Sequence, residues 1–318
     1  MIRVPDEVVR RLQDALGAAD VQRDAAVARY TTWRVGGPAA LLAVARDAER
    51  LRHAVEIVRE ANLPWLVLGR GSNVLVCDEG VRSVVIINRA DALRIEGTTL
   101  WAESGGLLSV LARRTTAAGL EGLEWCHDIP GSVGGAVVNN AGAHGGSMSD
   151  VLRRVRVLPP WGAVADWDAA TLDFGYRRSI LREGQPSPVV LEAVFELRRA
   201  DAAEVRARMA AHREQRKRTQ PGGASAGSVF KNPPGDSAGR LIESLGLKGA
   251  RRGDAAISDA HANFIVGGPR ATAADVVALV ALARRRVRVA YGLSLEPEIQ
   301  YVYPDGRVGP PSLEDPEE

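Results

Sequence analysis

The chain has 318 residues, 46% of them hydrophobic and 25% charged, with a formal net charge of +2. That length supports two or three domains with real cores. The near-neutral balance gives no reason to expect nucleic acid or an anionic membrane as partner. No apolar run is long enough to span a bilayer and the first residues hold no apolar signal core. The two cysteines, Cys77 and Cys126, sit in no metal-ligand pattern, so a cytoplasmic protein without a bound metal is expected.

In chain order, residues 6–18 read as an amphipathic helix with Val8, Val9, Leu12 and Leu16 on one face. Residues 31–39 read as a strand entering a tight turn. Asp47 is placed to N-cap a helix running to about Asn62, followed by a short buried strand at 65–68. The loop Gly69-Arg70-Gly71-Ser72-Asn73 comes next, then strands at 74–76 and 84–87. A strand running into Gly-x-Gly is half of a dinucleotide fingerprint, but the third glycine is missing and a strand follows instead of a helix. What survives is a strand–nest–strand able to hold a pyrophosphate on backbone amides. Strands at 93–96 and 99–103 and a helix at 106–118, closed by Gly119, complete this part.

Residues 129–146 hold six glycines among small apolar residues, with Ser132, Asn139 and Asn140 adding polar side chains. A flexible linker would be polar, whereas Ile129, Val133, Val137 and Val138 require burial; a ligand-lining loop is the better fit. Strands near 151–158 and 188–197 flank Tyr176-Arg177-Arg178-Ser179, and a helix covers 201–218. The turn Gln220-Pro221-Gly222-Gly223 marks a domain boundary. Beyond it lie a helix at 237–245, strands near 255–257 and 263–266, a helix over 272–291 and a strand at 295–303. The segment 306–318 reads as a disordered, dispensable tail.

Three constellations have chemical potential. Arg177 suits a carboxylate or phosphate, or else a surface turn. Ser228, between a run of small residues and Lys231, has the setting of a reacting hydroxyl, without the Gly-x-Ser-x-Gly of a hydrolase elbow. Glu296 and Glu298 fall on one face of the expected last strand. Only three of the 41 basic residues are lysines, at 217, 231 and 248, all within one short window. Such retention fits sites where a compact ammonium is needed against phosphate or carboxylate, or chance on an arginine-biased background. His144 and His261 are better functional candidates than His53 and His212.

Eight segments then stand in the order found in UDP-N-acetylenolpyruvoylglucosamine reductases. They are the stretches beginning at Thr32, Leu68, Ile129, Tyr176, Ser225, Gly246, His261 and Glu296, and together they span about residues 29–303. The chain resembles that family. The resemblance implies an α+β (mixed α/β) architecture: a vanillyl-alcohol-oxidase/PCMH-type FAD domain over 29–200 in two subdomains, then a smaller substrate domain over 201–305. Residues 1–28 would be a helical extension, and the last strand would return to the FAD domain.

It also implies non-covalent FAD, NADPH as co-substrate, and a UDP-sugar enolpyruvyl ether as substrate, in a monomer. Hydride from the flavin would reach the β-carbon of the enolpyruvyl group. Arg177 and Glu298 would stabilise the charge that builds toward the carboxylate, and Ser228 would protonate the α-carbon. Cofactor contacts are implied for Leu68, Gly69, Arg70, Gly71, Ser72, Asn73, Val74, Ile129, Pro130, Ser132, Val133, Gly134, Gly135, Val138, Asn139, Gly142, Ala143 and Arg213. Tyr176, Lys217, Asn232, Lys248 and His261 match substrate-contacting positions, with Arg216 and Arg218 as alternatives to Lys217. Relative to the family pattern, Asp128 replaces a glycine, His144 an aromatic residue, Thr219 a lysine, Asp254 a glycine and Gly267 an asparagine. The absence of a tyrosine-bearing insertion after Arg177 marks the shorter subtype. Two rivals are a sugar or lactone oxidase of the same flavin fold, with His144 as a covalent flavin anchor, and a nucleotide-binding module without catalysis.

Overall fold

The computed structural model describes residues 3–184 and 186–313. Its first sheet has four strands in the order Val21–Ala26, Pro38–Ala45, Val81–Asn88, Trp65–Leu68; the first pair is antiparallel and the other two are parallel. Both faces of this sheet are covered. Leu41, Ala43, Val84 and Ile86 pack under the helices Asp6–Leu16 and Ala48–Glu60, while Leu42, Val44, Val85 and Ile87 face the opposite core. Asp47 Oδ1 caps the second helix by accepting from the Arg50 amide at 2.8 Å.

A second, five-stranded antiparallel sheet runs Ala165–Asp168, Leu152–Leu158, Val189–Glu196, Thr99–Glu103, Leu93–Glu96. The helices Leu108–Ala117 and Val133–Val138 close its core around Phe195, Leu100 and Met148. A third unit packs the three short strands Arg251–Arg252, Ala255–Ile257 and Ile265–Gly267 against the helices Ala238–Ser244 and Ala273–Tyr291. The last helix starts in a Thr272/Asp275 capping box and ends at Gly292, whose φ is +67°.

The chain then returns. Gln300–Val302 pairs in parallel with Val74–Val76 and antiparallel with Val308–Gly309. Two further ties bind the third unit to the first. Trp33 sits in the third unit's core and donates its indole N–H to the Ile265 carbonyl at 3.2 Å. The Asp78 carboxylate accepts from the Ala273 and Ala274 amides at 2.8 and 3.0 Å, supplying acceptors to the first turn of the long helix.

Four expectations differ from this picture. The N-terminal segment is not only helical: Val21–Ala26 forms an edge strand of the first sheet. Residues 31–37 are not a strand, because the Thr31 hydroxyl donates to the Ala28 and Val35 carbonyls and folds the segment into a turn. The strand expected at 295–303 is regular only over 300–302; Pro297, which has no N–H to donate, makes an isolated bridge with Phe230. Within the expected tail, residues 306–313 are paired and packed: Tyr303 Oη donates to the Pro310 carbonyl at 2.8 Å and Leu313 rests on the third unit's core. Residues 314–318 lie outside the described residues.

Candidate active site

One cavity of about 470 Å³ runs between the three units. At one end it is lined by residues 68–74, the outcome of a strand that stops at Leu68 and turns on glycine. Gly71 has φ +58°, and a Cβ there would lie 2.3 Å from the Tyr30 carbonyl oxygen. A Cβ on Gly69 would lie 2.2 Å from Ser132 Oγ, so the loop and the glycine-rich stretch touch only because both are nearly bare.

The charges around this end are unbalanced. Arg70 Nε is buried with no hydrogen-bond partner. Arg89 donates to the Gly69 carbonyl at 2.5 Å, and burial, followed by the neighbouring Arg70 charge, pulls its pKa down to about 10. Arg70, with its orphaned donor beside a concave backbone, fits a diphosphate that supplies the missing charge and acceptors, while Arg89 lines a neighbouring cavity with Asp20, Arg46 and Asp91.

The middle of the cavity is walled by Ile129, Pro130, Ser132, Gly134, Gly135, Val138, Asn139, Gly142 and Ala143, a small-residue floor with room for a flat ring system. Part of this stretch is the short helix Val133–Val138, which its glycine content hides from sequence inspection. Asn88 and Ser104, joined at 2.7 Å, also line the wall. Nothing in their local sequence marks them.

At the far end stands a buried ion pair. Arg177 Nε donates to Glu298 Oε1 at 2.6 Å, with the two side chains 21% and 15% exposed. Arg177 is held at φ +55° in a tight turn in which Gly175 and Arg178 exchange backbone hydrogen bonds. Its Nη2 also donates to the Gly142 carbonyl at 3.3 Å. Burial raises the Glu298 pKa, against the opposing pulls of Arg177, Lys231 and Arg182. Ser228 reaches the same wall from a short extended segment bridged to Phe264. The Glu298 amide donates to the Val229 carbonyl at 2.8 Å, so serine and glutamate stand on directly bonded segments. A cation, a raised carboxyl and a hydroxyl on one wall form an arrangement for stabilising and protonating an anionic carbon acid.

Not every expected contact lies on this wall. Val133 is fully buried in the second core behind it, and Arg213 is exposed on the helix Ala202–Thr219. On that helix Arg216, not Lys217, lines the cavity, with burial lowering its pKa against the pull of Asp128. Lys217 is exposed and pairs with Glu214 at 3.0 Å, because helical spacing turns it off the face that carries Arg216. Tyr176 and Asn232 form a rim: the Asn232 amide meets Tyr176 Oη at 3.4 Å, and the Arg177 guanidinium lies 5.2 Å from the tyrosine ring centre. Lys248 pairs with Glu243 at 2.6 Å, and its charge, after burial, helps lower the pKa of His261. His144 is off the wall, stacked on His212 with ring centres 4.2 Å apart.

A nest for a diphosphate opening on an acid–base site defines an enzyme that works with a nucleotide cofactor. Residues 39–167 match the family model "FAD binding domain", and residues 218–302 match "UDP-N-acetylenolpyruvoylglucosamine reductase, C-terminal domain". A UDP-N-acetylenolpyruvoylglucosamine reductase of Chloroflexus aggregans is 44% identical over 284 residues, covering 87% of this chain and 95% of the relative. The enzyme of that name from Bacillus subtilis is 39% identical, covering 87% and 92%. The crystal structure of UDP-N-acetylenolpyruvylglucosamine reductase from Thermus caldophilus superposes with a TM-score of 0.76 at 42% identity, covering 88% of this chain and 98% of that one. The chain belongs to the UDP-N-acetylenolpyruvoylglucosamine reductase family.

Proposed function

We propose that the protein reduces the enolpyruvyl ether of UDP-N-acetylglucosamine to UDP-N-acetylmuramate with NADPH and a non-covalently held FAD, a step in peptidoglycan precursor synthesis. The observation that carries this is the meeting of Arg177, Glu298 and Ser228 on the wall of the cavity that begins at the diphosphate nest. FAD, when bound, would supply the two-electron redox chemistry that links NADPH oxidation to reduction of the enol ether.

The residues at 69–73 and 129–143 would hold the cofactor, with Arg70 answering its diphosphate. The chain's own groups handle the substrate. Arg177 binds the enolpyruvyl carboxylate and stabilises the negative charge that hydride arrival pushes onto it. Glu298 orients that guanidinium through the 2.6 Å bond. Ser228 Oγ gives its proton to the α-carbon, completing the addition of one hydride and one proton across the double bond. Tyr176 and Asn232 at the rim, then Lys248 and His261 beyond it, would run along the UDP arm, with Arg216 in place of Lys217.

A monomer acting on small molecules is the expected state, a point for gel filtration. The two free cysteines are buried, with Cys77 pushed up to about 11 and Cys126 to about 12 by desolvation, a thiol state that fits the reducing cytoplasm. The stacking of His144 on His212, off the cavity wall, weighs against an oxidase with a histidyl-flavin bond.

The test is anaerobic. NADPH should bleach the yellow protein, and the UDP-sugar enol ether should restore the colour and appear as UDP-N-acetylmuramate. Bleaching without recovery would overturn the substrate assignment. Acid precipitation should release free yellow flavin; flavin retained in the pellet would favour the oxidase.

A further inference from the structure

Arg182 ends the short helical turn Ile180–Arg182 and lines the active-site cavity. Its Nη1 donates to the Arg177 carbonyl at 3.0 Å, and among the described residues it is the only side chain on that oxygen. The turn it holds is otherwise fixed from the opposite side. Asn140 Nδ2 donates to the Gly175 carbonyl at 3.0 Å, and Ser179 Oγ to the Val138 carbonyl at 2.6 Å. Arg177 itself occupies left-handed backbone at φ +55°, which a long non-glycine residue keeps only when its surroundings impose it. No carboxylate lies within ion-pair distance of Arg182 among the described residues. Its charge instead acts at longer range on Glu296 and Glu298.

We propose that Arg182 is a positioning residue for the Arg177–Glu298 pair. Its Nη1 donor holds the Arg177 main chain in the conformation that aims the guanidinium at Glu298, and its charge adds to the cationic field around that carboxylate. A half-buried cation with a single hydrogen bond among the described residues is costly, and its attraction to Glu296 and Glu298 offsets part of that cost. The groups facing Glu298 are Arg177 from the 175–178 turn, Lys231 from the segment after Ser228, and Arg182; Lys231 is shared with Glu296 at 2.5 Å. Of these, Arg182 alone contacts the main chain of Arg177. The inference rests on the proposal that Arg177 and Glu298 act on the substrate.

The test uses the flavin-loaded protein and its R182Q and R182K variants. Two readouts are taken: the separate half-reactions, and the carboxyl band of Glu298 followed by infrared difference spectroscopy against an E298Q blank as pH is varied. In R182Q, Glu298 should titrate at higher pH than in the wild type. Recovery of colour with the enol ether should slow ~10-fold or more, the order expected for a misplaced catalytic group, while NADPH bleaching stays within about two-fold.

R182K should bring the Glu298 titration back while leaving part of the slowing, because an ammonium keeps the charge but not the reach and planar geometry of the guanidinium donor. An unmoved titration in R182Q, or equal slowing of both half-reactions with a lower melting temperature, would reduce Arg182 to packing and overturn the proposal. Should R182Q not fold, R182K decides alone: slower recovery with an unmoved titration supports the proposal, and wild-type behaviour in both overturns it. Wild-type protein that never recovers colour would sink the substrate assignment instead, and the infrared titration would still read the coupling between Arg182 and Glu298.

Discussion

Asn73, the last residue of the Gly-Arg-Gly loop, donates from Nδ2 to the main-chain oxygen of Glu298 at 3.2 Å, and its own carbonyl accepts from the Gln300 amide at 2.9 Å. The diphosphate nest and the acid–base wall are therefore stitched together by one side chain. Asn73→Ala should cost about 1 kcal/mol of stability, the usual net worth of a neutral hydrogen bond. It should also slow colour recovery by the enol ether more than bleaching by NADPH, since Glu298 loses one of its main-chain ties. Urea unfolding and the two half-reactions check both parts.

Ser228→Ala should separate the half-reactions more sharply. NADPH bleaching stays near its normal rate, whereas recovery slows by ~10²–10⁴-fold, the worth of a positioned general acid. Alanine fits the extended backbone at 228, so melting should barely change. Equal loss in both half-reactions would remove the proton-donor role.

The Arg177–Glu298 pair predicts an asymmetry in stability. Arg177→Ala leaves a buried carboxylate without its partner and should cost ~3 kcal/mol in urea unfolding. The double change Arg177→Met/Glu298→Leu, which removes both charges and keeps the volume, should recover most of that while abolishing turnover. A double variant as unstable as the single would mean that the pair is not the source of the cost.

Truncation after Asp305 should weaken the protein. It removes the Val308–Gly309 pairing with Tyr301 and Val302, and it removes Leu313 from the third unit's core. Two partly buried apolar side chains are worth roughly 2 kcal/mol. Val308 and Gly306 also line the cavity, so flavin should be lost on dilution. A truncated protein that melts with the full chain and stays yellow would contradict this.

His144 and His261 both carry pKa values lowered from the ordinary 6.5, chiefly by burial. Above pH 6.5 native and unfolded chains both hold them neutral. Below it the unfolded chain binds protons that the native state refuses, so stability falls with pH until the lowered folded values are passed. Melting temperature should drop as pH falls below 6.5, and H144Q/H261Q should flatten that slope; an unchanged slope would discard these two groups as its source.

Much of this was legible in the chain because the cavity is built from loops whose chemistry is local. Gly69, Gly71 and the 129–146 run announce close backbone approach, and Asp47, Gly119 and Thr272 mark helix ends that the structure places within a residue or two. What stayed hidden has a physical reason. Pro38–Ala45 is buried on both faces, so it shows no alternation to read, and its alanines argue for helix as much as strand. Arg216 and Lys217 are neighbours in sequence, and only the packing of their helix decides which one meets the cavity. Arg182 and Asn88 acquire meaning from partners that carry no motif.

The return of Gln300–Val302 to Val74–Val76 has a bearing on how the chain matures during synthesis. The flavin unit has its loop and floor residues translated early, yet Glu298 and the strand that Asn73 grips come only after the whole third unit. A nascent chain folding from its N-terminus holds an open nest until residues 298–302 have been made. Cofactor retention is thereby tied to a segment made long after the loop it closes on, and a polypeptide cut before Glu298 lacks the parts needed to retain flavin.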